Sequence, residues 1–297
     1  MATLVGGHEE RSSGHRRIGV PPCWWRGSSP VCLAVLSSLF FAAGVCAQSA
    51  PETHAKVQLV AAQKSIHIGS SFWVGILFQL DPGWHIYWQN PGDSGESPNI
   101  EWQLPPGFRA GEIRWPRPIR LGTASVRDYG YEGQVLLMTN IQPPNFTGAS
   151  PVSIAATVKY VVCREICIPG KSDVNLSLPP NYLPLVEPTP WQGLFRITIA
   201  LLPKPLPSAW KASAKSLGDH FILSLKGPGS ADELMFFPLD RGVIENAAPQ
   251  NVEWGHKALR LTLKKSEQLV KPVSTLRGVI VLDQYRVFEI SVPVKSP

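Results

Sequence analysis

Two cysteines four positions apart are the residues of this sequence best suited to chemistry: Cys163 and Cys167, in the run Val161-Val162-Cys163-Arg164-Glu165-Ile166-Cys167-Ile168-Pro169. Three intervening residues let the sulfurs meet if the chain turns between them. Three chemistries fit such a pair: reversible thiol–disulfide exchange, a static disulfide, and soft metal ligation. As a staple the bond is weak, because closing a ring of about five residues is worth only about 2 kcal/mol in the chain-entropy account. A tight, local pair at the end of a strand suits a bond that opens. Arg164 favours a thiolate and Glu165 opposes it, so the sequence settles neither thiol pKa. Metal ligation needs more donors. His85 or Met138 would serve in a soft copper site, but no closed zinc spacing is present and the histidines are scattered, so no metal ligands are assigned.

The compartment is read from where the other cysteines lie. Arg11, Arg16, Arg17 and Arg26 precede an apolar run from Val31 to Val45, and small residues end at Ala47. That order predicts an export signal over residues 1–47 and a mature start near Gln48, with lipidation at Cys46 as the less favoured alternative. Cys23, Cys32 and Cys46 then leave with the signal, and Cys163 and Cys167 remain as the mature pair in an oxidising compartment. A disulfide-held scaffold would need more pairs, more widely spaced. No later apolar stretch approaches membrane-spanning length, which predicts a soluble mature chain. Past residue 47 there are 24 basic and 20 acidic residues, a balance of +4 with no Lys/Arg run, so no nucleic-acid partner is expected.

The elements that must position the pair read as strands. Of the 297 residues 44% are apolar, and 29 prolines and ten tryptophans favour sheets and turns over helices. Val152 to Val162 places Val152, Ile154, Ala156, Val158, Tyr160 and Val162 on one face at period two and runs directly into Cys163. Phe72–Leu80, Trp84–Trp88, Ile100–Leu104, Gly111–Trp115, Gln134–Ile141 and Val174–Leu178 are further strands, which argues for an antiparallel sandwich over residues 48–180. Pro179 to Pro190 is Pro-rich and reads as a linker (181–190 in the domain division). Residues 191–297, with strands at Phe221–Leu225, Leu234–Pro238, Ala258–Leu263, Gly278–Leu282 and Val287–Val292, read as a second, smaller β-sandwich with no cysteine. The fold class is therefore all-β.

Other chemistries find little support. There is no phosphate-binding glycine loop and no HExxH helix. Asp93-Ser94-Gly95 lacks the G-x-S-x-G elbow and reads as a turn. Arg127-Asp128-Tyr129-Gly130-Tyr131-Glu132-Gly133 is polar, aromatic and glycine-flanked, as a mobile cap over a reactive sulfur would be. It fits equally well as a hairpin connection with exposed tyrosines.

Four motifs in order, Gly83-Trp84-His85-Ile86-Tyr87-Trp88-Gln89-Asn90-Pro91-Gly92-Asp93-Ser94-Gly95, Ile113-Arg114-Trp115-Pro116, Asp128-Tyr129-Gly130-Tyr131-Glu132 and the cysteine run, resemble the N-terminal periplasmic domain of the thiol:disulfide interchange protein DsbD. Over about residues 57–179 they are most similar to its ScsB-like branch. Phe236-Phe237-Pro238-Leu239, Gly242-Val243-Ile244 and Ala247-Ala248-Pro249-Gln250 are similar to the segment that comes after this domain in that branch. The resemblance implies an immunoglobulin-like sandwich in the periplasm that relays reducing equivalents to thioredoxin-like clients. It implies that Cys167 forms the mixed disulfide and Cys163 resolves it. It places Asp128, Tyr129, Tyr131 and Glu132 in a cap or partner-binding stretch. Two departures stand out: the best-known members space their cysteines more widely, and this chain carries neither the membrane conduit nor the terminal thioredoxin-like domain of full-length members. Electrons must then come from a separate membrane conduit or thioredoxin-like reductant, or the chain is a remnant that no longer receives them. Exchange needs no bound organic cofactor. The rival expectations are a non-enzymatic interaction module with a structural disulfide and a copper-binding protein.

Overall fold

Alternation drives the architecture. In the strand Val152–Cys163 the six residues at even numbers from Val152 to Val162 are all buried, so one face of the strand lines a core. The computed structural model describes residues 53–296 apart from 124, 146, 147, 149, 184, 186, 229, 230, 232, 256 and 257. The export signal expected over residues 1–47 lies outside these residues.

The first sandwich comprises β1 (Ala55–Ala61), β2 (Ile66–His67), β3 (Phe72–Leu80), β4 (His85–Gly92), β5 (Asn99–Gln103), β6 (Arg109–Arg114), β7 (Ile119–Gly122), β8 (Arg127–Glu132), β9 (Gln134–Gln142), β10 (Val152–Cys163) and β11 (Cys167–Leu178). One sheet has the order β1-β3-β9-β6. The facing sheet has the order β11-β10-β4-β8-β7, with β5 also on β10. Their inner faces share a core that includes Phe72, Ile76, Phe78, Ile86, Trp88, Leu137, Ile154, Val158 and Tyr160. The antiparallel pairs and buried alternation make this an immunoglobulin-like all-β fold, as expected.

The Pro-rich stretch runs along this sandwich. The two-residue strand β12 (Pro180–Asn181) pairs in parallel with β2. Further on, Lys64 N donates to Glu187 O at 2.9 Å and the Thr189 hydroxyl donates to Ala61 O at 2.6 Å. Next comes a helix that the sequence did not suggest, α1 (Gln192–Leu201). It buries Phe195 against Val60, Leu77, Leu136 and Met138, on the outer face of the β1-β3-β9-β6 sheet.

The C-terminal part holds β13 (Lys204–Pro205), β14 (Lys211–Leu217), β15 (His220–Lys226), β16 (Met235–Pro238), β17 (Asn251–Trp254), β18 (Leu259–Lys264), β19 (Thr275–Val281) and β20 (Val287–Lys295). Strand β20 joins two layers: Val287–Pro293 pairs with β19, and Val294–Lys295 pairs with β14. Phe221, Leu223, Leu261, Phe236, Leu276 and Ile290 fill the space between the layers. Phe237, Val279, Val281 and Val287 belong instead to the core of the first sandwich, so apolar packing is continuous between the two parts.

Candidate functional site

The two cysteines close the β10–β11 hairpin. Every residue from Val152 to Cys163 is paired with one from Leu178 to Cys167, and the last pair is the cysteines themselves. Their Cα atoms are 4.2 Å apart and the sulfurs form a disulfide. The connecting Arg164, Glu165 and Ile166 are exposed. The two sulfur-bearing residues differ sharply: Cys163 is 2% exposed, whereas Cys167 is open to solvent.

Strand parity explains what covers Cys163. Val162 points into the core, so Cys163 points to the opposite face. Its partner across the sheet is His85, the first residue of β4. Cross-strand partners share a face, so His85 and Tyr87 stand on the sulfur side while Ile86 and Trp88 enter the core. The Tyr87 hydroxyl donates to Cys163 Sγ at 2.9 Å and lies 3.6 Å from Cys167 Sγ. It also stands 3.5 Å from Ser94 Oγ. Asp128 fixes that serine, accepting from Ser94 Oγ at 2.8 Å and from Ser94 N at 2.9 Å. Gly95 is required beside it: φ is +66°, and a Cβ there would lie 2.0 Å from the Tyr87 ring.

Burial sets the protonation states. Loss of solvent pushes the Tyr87 phenol above its ordinary value, with the Ser94 hydroxyl acting in the other direction, so Tyr87 stays a proton donor through neutral pH. His85 is pushed down by burial, against the opposing pull of Asp128 and Glu132, and is neutral at pH 7. Around the open sulfur the surface is mixed. The Arg164 guanidinium lies 5.4 Å from the Trp84 ring centroid, His54 stacks on Trp84 at 3.7 Å, and Ile166 is 64% exposed. Exposed Arg164 and Ile166 thus flank Cys167, while Trp84 beneath Arg164 is buried.

The cap stretch takes a different form from either expectation. Residues 127–132 are the strand β8, paired with β4 and β7. Its alternation splits the four residues into two pairs. Glu132 is the partner of His85, and Asp128 reaches Ser94, so both belong to the sulfur side. Tyr131 is the partner of Ile86 and faces the core with Tyr129. Their hydroxyls donate elsewhere, Tyr131 to Pro116 O at 2.8 Å and Tyr129 to Asn246 Oδ1 at 2.9 Å, and burial raises both phenol pKa values. Tyr129 and Tyr131 are therefore packed tyrosines, neither exposed nor lying over the disulfide. Tyr87, Ser94 and Gly95 are neighbours that the sequence does not assign to the cysteine pair; there Ser94 and Gly95 read as a turn. The signal that could have found Tyr87 is its period-two relation to His85.

Residues 56–179 match the family described as thiol:disulfide interchange protein DsbD, N-terminal. This segment is a DsbD N-terminal-like domain, and thiol–disulfide interchange is the chemistry of its family. Among solved structures, the N-terminal periplasmic domain of ScsB from Proteus mirabilis superposes with a TM-score of 0.62 at 19% identity, covering 82% of this chain and 96% of that one. At that identity the likeness shows the fold, and its coverage extends past the family-matched segment into the C-terminal part. The periplasmic chaperone SfaE covers 82% of this chain and 100% of its own at 10% identity, but its TM-score of 0.23 bears on nothing further. No curated protein matches the chain.

Proposed function

We propose that the protein is a periplasmic dithiol–disulfide shuttle that passes reducing equivalents to thioredoxin-like client proteins through Cys163 and Cys167. The observation that carries this reading is the asymmetry of the pair, with Cys167 open and Cys163 covered by Tyr87. In the reduced protein the Cys167 thiolate attacks one sulfur of a client disulfide, and the other client sulfur leaves as a thiolate that takes up a proton. Cys163 then loses its proton and attacks Cys167 Sγ, expelling the second client sulfur. The client gains two electrons and two protons, and the pair is left as the disulfide. A hydroxyl that donates to Cys163 Sγ stabilises the resolving thiolate more than the thiol, since bonds to charged acceptors are the stronger ones.

The reductant that restores the dithiol is a membrane conduit or a thioredoxin-like protein in this account. Residues 48–180 carry the exchange, and the strands from Lys204 to Lys295 form the accompanying sandwich. Exposed Ile166, with Arg164, supplies the contact surface for the client. Trapping tests the reading. Cys163→Ala should accumulate a mixed disulfide between Cys167 and a thioredoxin-like client, and Cys167→Ala should give none. A Cys163→Ala protein that captures no client would overturn the role assignment and leave a static disulfide.

A further inference from the structure

The C-terminal part reaches the loop that holds Tyr87. Between Tyr87 and Gly92 the pairing of β4 with β8 shifts register, so the segment Trp88–Pro91 bulges out of the sheet. The bulge and the loop after it are met by the C-terminal part at three places. Asn90 Nδ2 donates to Pro238 O at 2.8 Å, Arg241 donates to Gly95 O at 3.2 Å, and Asn246 Nδ2 donates to Asp93 Oδ1 at 2.7 Å. Asn246 is only 8% exposed, and both its oxygens serve the same region. Its Oδ1 accepts from Tyr129 and its backbone oxygen accepts from Arg120 at 2.6 Å. Asp93 is one peptide from Ser94, which abuts the Tyr87 hydroxyl.

We propose that Asn246 is a positioning residue for the Cys163–Cys167 pair, acting through Asp93 and Ser94 on Tyr87. The proposal rests on the redox reading of the pair and gives the C-terminal part a share in it. Asp93 and Ser94 have further ties to β8, since Asp93 Oδ2 accepts from Arg127 N at 2.7 Å and Ser94 binds Asp128. Loss of the Asn246 contact therefore loosens the loop without freeing it. The Tyr87 hydroxyl, which donates to Cys163 Sγ in the disulfide form, then spends less time on that sulfur in either form; a thiolate is the stronger acceptor, so the reduced pair loses the more.

The hydrogen-bond polarity permits a swap. Asn246→Asp keeps the shape and keeps an acceptor for Tyr129, but sets a carboxylate against Asp93. Adding Asp93→Asn restores the pair in reverse: the new amide at position 93 donates to the new carboxylate at position 246, and its oxygen still accepts from Arg127 N. The measurement is the equilibrium of the purified protein with glutathione, in which two glutathione thiols become one glutathione disulfide as the pair becomes the dithiol. Asn246→Asp should shift that constant about threefold towards the protein disulfide, a part of the effect of one whole hydrogen bond. The double variant should return to within about 1.5-fold of wild type. If Asn246→Asp does not fold, Asn246→Ala replaces it with the same expected direction. An unchanged constant in the single variant, or a double variant as shifted as the single one, overturns the proposal. Dithiothreitol extends the range should glutathione fail to reduce the wild-type pair. Such a failure counts against the redox role, while the comparison among variants still decides the role of Asn246.

Discussion

Strands β4 and β8 lie side by side in one sheet, and each carries aromatic rings two positions apart, His85 with Tyr87 and Tyr129 with Tyr131. Only one set meets the disulfide. The register pairs Tyr87 with Gly130 and Ile86 with Tyr131, so the rings of the two strands point to opposite faces of the sheet. Gly130 opposite Tyr87 has no side chain to compete for the space, and a Cβ there would meet Ile86 O at 2.1 Å. Chemistry here is assigned by strand parity. A tyrosine hydroxyl becomes a ligand for sulfur, or an anchor for the core, according to an offset of one residue.

That contrast can be broken most severely at Gly95. Gly95→Ala forces a side chain into a left-handed conformation and against the Tyr87 ring. It should cost about 2 kcal/mol or more of stability and displace Tyr87, read as a lower urea midpoint together with a shifted thiol–disulfide equilibrium. Next in size is Tyr131→Phe, which leaves Pro116 O without its partner in the core. About 1–3 kcal/mol of stability should be lost, with the glutathione equilibrium unmoved. Tyr87→Phe should do the reverse. With the ring kept, stability changes little, but the equilibrium moves roughly fivefold towards the disulfide because a donor to sulfur is gone. A Tyr131→Phe protein with an altered equilibrium, or a Tyr87→Phe protein with an unaltered one, would erase the distinction between the strands.

The smallest effect concerns His85. Its folded pKa lies below the ordinary 6.5, so between that folded value and 6.5 the unfolded chain binds more protons. Stability therefore rises with pH across this window and falls as acid is added. Urea midpoints near pH 7 and pH 5 should differ less in His85→Gln than in wild type. Equal differences in the two proteins would show that His85 is not held neutral by burial.

Much of the positioning framework was legible in the sequence. The period-two run from Val152 to Val162 is the strand that delivers Cys163, and the turn residues at Asp81–Gly83 mark the start of β4, whereas Asn90–Gly92, which read as loop, continue that strand. The site's interior was not legible, because it depends on long-range register. Nothing local states that Cys163 pairs with His85, or that Asp128 lies opposite a bulge and so reaches Ser94. The stretch Arg127–Gly133 misled because its glycines and polar residues mimic a loop, whereas alternation hides the two tyrosines in the core. Helix α1 was missed for a related reason. It has no side-chain N-cap, no acidic residue in its first turn and several β-branched residues, so its stability comes from Phe195 packing on β3 and β9. Asn246 carried no signal at all, since its role exists only where two parts of the chain meet.

Whether the Cys163–Cys167 bond opens under physiological poise decides between an exchanging pair and a static one. Equilibrating the purified protein in defined thiol buffers and quantifying free thiols gives its reduction potential. Working exchange through an open Cys167 predicts a value well above the roughly −300 mV below which structural disulfides lie. A value at or below that level would contradict the shuttle and make the bond a fixed closure of the β10–β11 hairpin.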